Sequence, residues 1–246
     1  MKERLDVILT VKNLAKSRTA ASEMIKEGSV TVNGKVILKA SEKVDPETDI
    51  ISVSEESSVM KYVGRGGFKL ETAINEFGID LSGKVCLDIG ASTGGFTDCM
   101  LMNGASKVFA VDVGTNQLAE KLRNDSRVIS LEKLDIRKAT DEITEKVDFI
   151  GIDVSFISLR HILPELKRFS TENTFGVALI KPQFENGRVK NGKNGVIKDP
   201  KVHKRIVEDI CLFSESLGFT SIRTTPSSIL GGDGNREFLM YFEIKG

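Results

Sequence analysis

Beyond residue 83, continuous apolar runs alternate with amphipathic stretches, and this alternation limits the possible folds more than any other feature of the chain. The runs are KVCLDIG (84–90), KVFAVDV (107–113), RVISLEK (127–133), VDFIGIDV (147–154) and TFGVALIKP (174–182). Helical spacing predicts helices over 95–104, 116–124, 158–169 and 201–217. Strands that are apolar throughout must be covered on both faces, which is what the crossover helices of a parallel sheet do. FTSIRTTP (219–226) and the final REFLMYFEIKG (236–246) predict two further strands, the last one antiparallel and at the end of the sheet. The expectation is a Rossmann-like α/β domain whose ligands sit at the carboxyl ends of its strands. A chain of 246 residues has room for that domain and one small module.

The polar run SVSEESSVMK (52–61) has no core-forming period and reads as a linker, dividing the chain into 1–60 and 61–246. In the first part, Leu5, Ile8 and Leu9 share a helical face, and Ser17 is placed to cap a second helix over 18–27 that ends at Gly28. Asn33-Gly34, inside VTVNGKVI (30–37), is the strongest short signal for a hairpin, and IISV (50–53) adds a strand. Thirty-five basic and thirty-five acidic residues cancel overall, but not locally. Residues 12–39 carry six cations against Glu23 and Glu27, whereas 42–56 carry six acids against Lys43. No apolar run is long enough to span a bilayer, and the charged start MKERLDVILTVKNLAKS is unlike an export signal. Cys86, Cys99 and Cys211 lack metal or disulfide spacing, and His161 and His203 are too few to complete a zinc site. These features predict a cytoplasmic protein without a metal.

The first strand of the larger part runs into Asp88-Ile89-Gly90-Ala91-Ser92-Thr93-Gly94-Gly95-Phe96. Gly90, Gly94 and Gly95 allow close backbone approach to a ligand. No Gly-Lys-Ser/Thr follows, so this is not a P-loop. Ser92 stands where a dinucleotide fingerprint needs its second glycine, which makes a nicotinamide enzyme a distant reading. Asp88 suits a ligand bearing an ammonium or sulfonium charge. Asp112, at the end of the second strand, is placed for ribose hydroxyls, and Asp135, after the third, for an adenine amino group. Three acids at successive strand ends, with that glycine loop, describe S-adenosylmethionine.

Four more residues fall at strand ends or in loops beside that site: Lys69 after KYVGRGGF, Asp153 in GIDVSF, Lys181 in ALIKPQFE and Glu237 in GNREF. Each also has a plain structural use. Lys69 could be a solvated residue at a helix start, Asp153 could cap the next turn through Ser155 or Ile157, Lys181-Pro182 could end a strand, and Glu237 could be an exposed strand-start acid. With SRTAASEMIKEGSVTVNGK, LDIGASTGGFTD, AVDVG, DVSFISL and GGDGNREF, the chain resembles the TlyA (haemolysin A) group of ribosomal RNA 2'-O-methyltransferases. That resemblance implies an S4-type α+β RNA-binding domain ahead of an FtsJ-like, S-adenosylmethionine-dependent methyltransferase sheet. It also implies a Lys-Asp-Lys-Glu tetrad on Lys69, Asp153, Lys181 and Glu237, with Asp153 bordering the cofactor as well. A ribose hydroxyl is a weak nucleophile, so transfer gains from an aligned base. The resemblance makes Lys181 that base, oriented with Lys69 by the two acids.

The same resemblance turns the amino-terminal cations into an RNA surface comprising Arg4, Lys16, Arg18, Lys26 and Lys35. Arg65, Arg188 and Lys190, with Lys61, Lys193 and Lys198, would form a second one. Phe184 could stack on a displaced base or pack in the core. The expected substrate is a cytidine ribose in 23S ribosomal RNA, with 16S ribosomal RNA a further target, and a monomer suffices. A non-catalytic RNA-binding assembly factor is the alternative. Nothing in the sequence supports a membrane-lytic pore.

Overall fold

The computed structural model describes residues 2–12, 14–15, 17–53, 61–139, 141–187, 195–231 and 234–245. The chain forms two compact units, Met1–Tyr62 and Val63–Gly246. In the first unit, β1 (Glu3–Arg4) leads into α1 (Leu5–Val11) and α2 (Arg18–Lys26), followed by β2 (Val30–Val32), β3 (Lys35–Val36), β4 (Lys43–Val44) and β5 (Ile51–Val53). Strand β2 pairs antiparallel with both β3 and β5, and β1 pairs with β4. Ser17 caps α2, its hydroxyl accepting from the Ala20 N–H at 3.2 Å. Asn33 (φ 50°) and Gly34 (φ 76°) both take the left-handed conformation that the tight hairpin requires. Leu5, Leu9, Met24, Ile25 and Val30 close a small core with almost no exposure.

The second unit begins with α3 (Gly66–Phe77) and continues through β6 (Val85–Ile89), α4 (Gly95–Met102), β7 (Lys107–Asp112), α5 (Glu120–Arg123), β8 (Val128–Glu132), β9 (Val147–Ile152) and β10 (Ser170–Ile180). It ends with α6 (Pro182–Glu185), α7 (Pro200–Ser216), β11 (Phe219–Pro226) and β12 (Phe238–Ile244). The seven strands lie in the order β11-β12-β10-β9-β6-β7-β8, with β6 to β10 mutually parallel. The last strand is antiparallel but does not lie at the end of the sheet; β12 is inserted between β10 and β11. Its Leu239–Phe242 run is buried, so it belongs inside the sheet, whereas β11 is largely polar, with Thr220, Ser221, Arg223, Thr224 and Thr225, and forms the edge.

Two expected helices also differ. Residues 158–169 form two 3-10 turns, Leu159–His161 and Leu163–Arg168. There Leu163, Leu166 and Phe169 recur every three residues, the repeat that stacks in a 3-10 helix, and Pro164 removes a backbone donor. The stretch 116–124 shortens to α5, because Asn116 sits at φ 52°. Helix α3, expected only as a possible helix start at Lys69, begins earlier, inside the glycine-rich segment, and stops at Gly78, in the left-handed cap position.

Candidate active site

Glycines set the floor of the site. At Gly95, the start of α4, a Cβ would stand 2.9 Å from the Gly67 N and 3.0 Å from the Gly64 O, so α4 and the start of α3 meet backbone to backbone. That contact helps place Lys69, one turn into α3, in a nearly closed position with 7% exposure. Lys69 Nζ lies 2.7 Å from Glu237 Oε2 and 3.8 Å from Asp153 Oδ2. Lys181, at the end of β10, places its Nζ 2.6 Å from Asp153 Oδ1 and donates to Ser155 Oγ at 2.8 Å. All four tetrad residues therefore meet in one chain of contacts, Glu237–Lys69–Asp153–Lys181. Two buried cations and two acids balance, and such pairing is what makes buried charge tolerable. The Asp153 carboxylate joins the two lysines instead of serving only as a cap.

Two cavities meet at this chain. A small one of 180 Å³ is lined by Gly66, Gly95, Lys181 and Asp153. A larger one of 530 Å³ runs past Asp112, Asp135 and Phe156. Gly90, Ser92, Asp153 and Ser155 border both. Gly90 is obligatory at φ 87°, since a Cβ there would approach the Asp153 carbonyl oxygen to 2.5 Å. Ser92 adopts φ 48°, and its N–H donates to Asp112 Oδ2 at 2.8 Å; the Gly114 N–H donates to Asp112 Oδ1 at 2.7 Å. Asp112 is thus fixed in orientation while half-exposed to the larger cavity. Asp135 caps the turn at Ile136–Lys138, and the Arg137 guanidinium, donating at 2.5–3.1 Å, holds its carboxyl below the usual range.

Asp88 behaves differently. It is fully buried and borders neither cavity. Its Oδ2 accepts from the Thr97 N–H at 2.9 Å and the Thr97 hydroxyl at 2.6 Å, while Oδ1 has no partner. Burial, reinforced by Asp153 and Asp112 and opposed by the Thr97 bonds, pushes its pKa from 3.8 up to about 7. Gly94 (φ 95°) likewise borders neither cavity, and a Cβ there would overlap Leu122, whereas buried Phe96 lines the small cavity.

Sequence reasoning did not single out Phe156 or Glu185. Phe156 is 91% exposed at φ 64°, with its ring 5.1 Å from that of half-buried Phe184. Glu185 ties the two loops together, accepting from the Ser158 hydroxyl at 2.5 Å and the Leu159 N–H at 2.7 Å. Both lie in the quoted stretches DVSFISL and KPQFE, but only their folded proximity reveals the link.

Of the expected RNA contacts, Arg4 and Arg18 converge on buried Asp6 at 2.9 and 3.0 Å, and Arg4 above all lowers its pKa to about 2. The arginines remain 46% and 60% exposed, so each keeps donors for a phosphate. Lys26 and Lys35 are exposed. Arg65 donates to the Leu230 carbonyl at 2.7 Å. Lys16, Arg188, Lys190 and Lys193 lie outside the described residues. Asp6→Asn should loosen the first unit by about 1 kcal/mol, a value reduced by the exposure of the arginines. Hydrogen exchange of the α1 and α2 amides would then run about fivefold faster; unchanged rates would show that Asp6 does not brace this unit.

Residues 62–244 match the family model described as FtsJ-like methyltransferase, and residues 3–50 match that of the S4 domain. The chain is 43% identical to Hemolysin A of Brachyspira hyodysenteriae, over 98% of this chain and 100% of that one. It is 39% identical to the 16S/23S rRNA (cytidine-2'-O)-methyltransferase TlyA of Mycobacterium tuberculosis, over 98% and 90%. A solved structure from Streptococcus thermophilus, described as a hemolysin, superposes with a TM-score of 0.76 at 42% identity, covering 99% of this chain and 89% of that one. Among the described residues, no helix is long and apolar enough to cross a membrane.

Proposed function

We propose that this chain, which belongs to the FtsJ-like methyltransferase family and carries an S4 domain ahead of the family's fold, methylates the 2'-hydroxyl of a cytidine ribose in ribosomal RNA. S-Adenosylmethionine is the methyl donor, 23S ribosomal RNA is the first target and 16S ribosomal RNA the second. The observation that carries this reading is the buried Glu237–Lys69–Asp153–Lys181 chain of contacts, set where the two cavities join.

The larger cavity fits the donor's chemistry. Asp112 offers a fixed carboxylate for ribose hydroxyls, Asp135 an acceptor for an amino group, and Gly90 a backbone surface without a side chain. When bound, S-adenosylmethionine supplies an electrophilic methyl group on a cationic sulfur. The chain's own residues do the rest. Lys181, after giving up its ammonium proton to solvent, takes the proton of the 2'-hydroxyl as the bond from the methyl carbon to sulfur breaks and the O–C bond forms, with Asp153 and Ser155 fixing its Nζ. Lys69, held by Glu237, orients Asp153 from the other side. Exposed Phe156 offers a face for the target base. The exposed cations of the first unit hold RNA through its phosphates. The protein acts as a cytoplasmic monomer.

The test is radiolabelled methyl transfer to ribosomal subunits, and to their free RNAs, from a strain lacking the protein. Mapping by primer extension sensitive to ribose methylation should place the label on a cytidine ribose. Label on a base, or cofactor binding without transfer to any ribosomal RNA, would overturn the assignment.

A further inference from the structure

A third cavity, of 670 Å³, opens between α7, the end of β11 and the residues leading into β12. It takes no part in the chemistry above. Its rim carries Lys198, Lys204 and Arg236, all exposed. Lys204 reaches Glu208 only at 3.7 Å, and Lys198 and Arg236 have no acidic partner among the described residues. One side of the lining is apolar, with Pro226, Phe238 and Leu230, the last 51% exposed at the mouth; Thr224, Thr225 and the exposed Glu208 complete it. A cavity of this size suits one small ligand or one nucleoside.

Its position relates it to the methyl-transfer site. Phe238 pairs with Ile180 on one side and Pro226 on the other, and the tetrad residues Lys181 and Glu237 adjoin that register. The cavity therefore lies within about two strand spacings, about 10 Å, of the tetrad along the sheet, at the same strand ends but on the α7 face, where Phe238 meets His203 while Glu237 turns the other way to Lys69. Arg65, at the start of α3, holds the Leu230 carbonyl, and buried Asn235 accepts from the Ile197 N–H at 2.9 Å. Cavity wall and tetrad thus hang on one framework.

We propose that this cavity seats a nucleotide of the substrate RNA next to the target ribose, its base against Leu230, Pro226 and Phe238 and its flanking phosphates between Lys198, Lys204 and Arg236. The inference rests on the RNA reading given above. Three cations against Glu208, two of them without an acidic partner among the described residues, favour a polyanion, and the apolar side favours an unstacked base over a duplex, which would present only its backbone and groove. A small inorganic anion would leave that side unused.

Equilibrium binding of the full chain to protein-free 23S ribosomal RNA, between about 50 and about 200 mM KCl, tests this. Lys198→Gln/Arg236→Gln should weaken binding about tenfold at low salt and flatten the logarithmic salt slope by roughly 1.4, the share of two single-strand phosphate contacts. Leu230→Asp, which keeps every cation but puts a carboxylate at the mouth, should weaken binding comparably. S-Adenosylhomocysteine binding should be unchanged in both variants. If the unsubstituted chain binds the RNA and both variants match it in affinity and slope, this proposal alone is overturned. No RNA binding by the unsubstituted chain would overturn the underlying RNA reading with it. Loss of S-adenosylhomocysteine binding would assign the cavity to the cofactor and overturn the proposal as well.

Discussion

Lys181→Ala should lower the methyl-transfer rate by on the order of 10²–10⁴, the range a positioned base contributes, while leaving S-adenosylhomocysteine affinity within a few-fold of the unsubstituted protein. The second half follows from the lining of the cavities: Lys181 borders the small one but not the larger one that holds Asp112 and Asp135. The fold should also survive. Asp153, whose side chain is 18% exposed, still has Lys69 at 3.8 Å after the substitution. Lys69→Ala would be a poorer probe, because it strands Glu237, whose side chain is only 3% exposed, and an uncompensated buried charge costs about 3–5 kcal/mol. Single-turnover transfer at saturating RNA and cofactor, beside calorimetric titration with S-adenosylhomocysteine, separates the effects. A rate loss below about tenfold would remove Lys181 from the role of base. Equal loss of cofactor binding would give it a structural role instead.

What could be read without coordinates divides along physical lines. The five parallel strands were legible because each carries an apolar run bounded by turn residues, least pure in β8 with Ser130 and Glu132, and that pattern has few other uses. Helix α3 was hidden because Gly64, Gly66 and Gly67 look like loop, and the reason for them is a close approach to Gly95 about thirty residues away. The insertion of β12 between β10 and β11 depends on which strand buries both faces, a property of the assembled sheet. At the site, strand ends marked Asp153, Lys181 and Glu237, Lys69 stood after a glycine-rich entry, and the resemblance joined the four that the fold brings into one ion-paired chain. They did not reveal which acids already have partners. Arg137 lies two residues from Asp135 and was readable in principle, whereas the sharing of Asp6 by Arg4 and Arg18 requires the fold. Asp88 marks the limit most clearly: its place in the motif suggested a ligand contact, and the turn closes over it.

That burial predicts an unusual pH dependence. A carboxyl whose pKa rises from 3.8 unfolded to about 7 folded favours folding while it is neutral. Its contribution is complete below about pH 3.8 and is lost as pH rises through 7, at up to 1.36 kcal/mol per pH unit and about 4 kcal/mol in all. In Asp88→Asn the carboxamide oxygen can keep both Thr97 bonds, and the amide nitrogen replaces the unpartnered Oδ1. The variant should therefore lack this slope. Unfolding free energies by denaturant, measured from pH 4 to pH 8, should show the Asn form gaining on the Asp form by about 4 kcal/mol. Taking the difference between the two cancels the titration of every other group outside the coupled acids. Parallel profiles would mean that Asp88 is ionised, and compensated, across the whole range. The same strain has a direction when ligand is present. A cation in the neighbouring cavity favours the ionised carboxylate, so S-adenosylmethionine should flatten the wild-type slope more than S-adenosylhomocysteine, which lacks the sulfonium charge. Equal slopes with the two ligands would place Asp88 beyond the field of the sulfonium and leave it only the task of tying the glycine turn to Thr97.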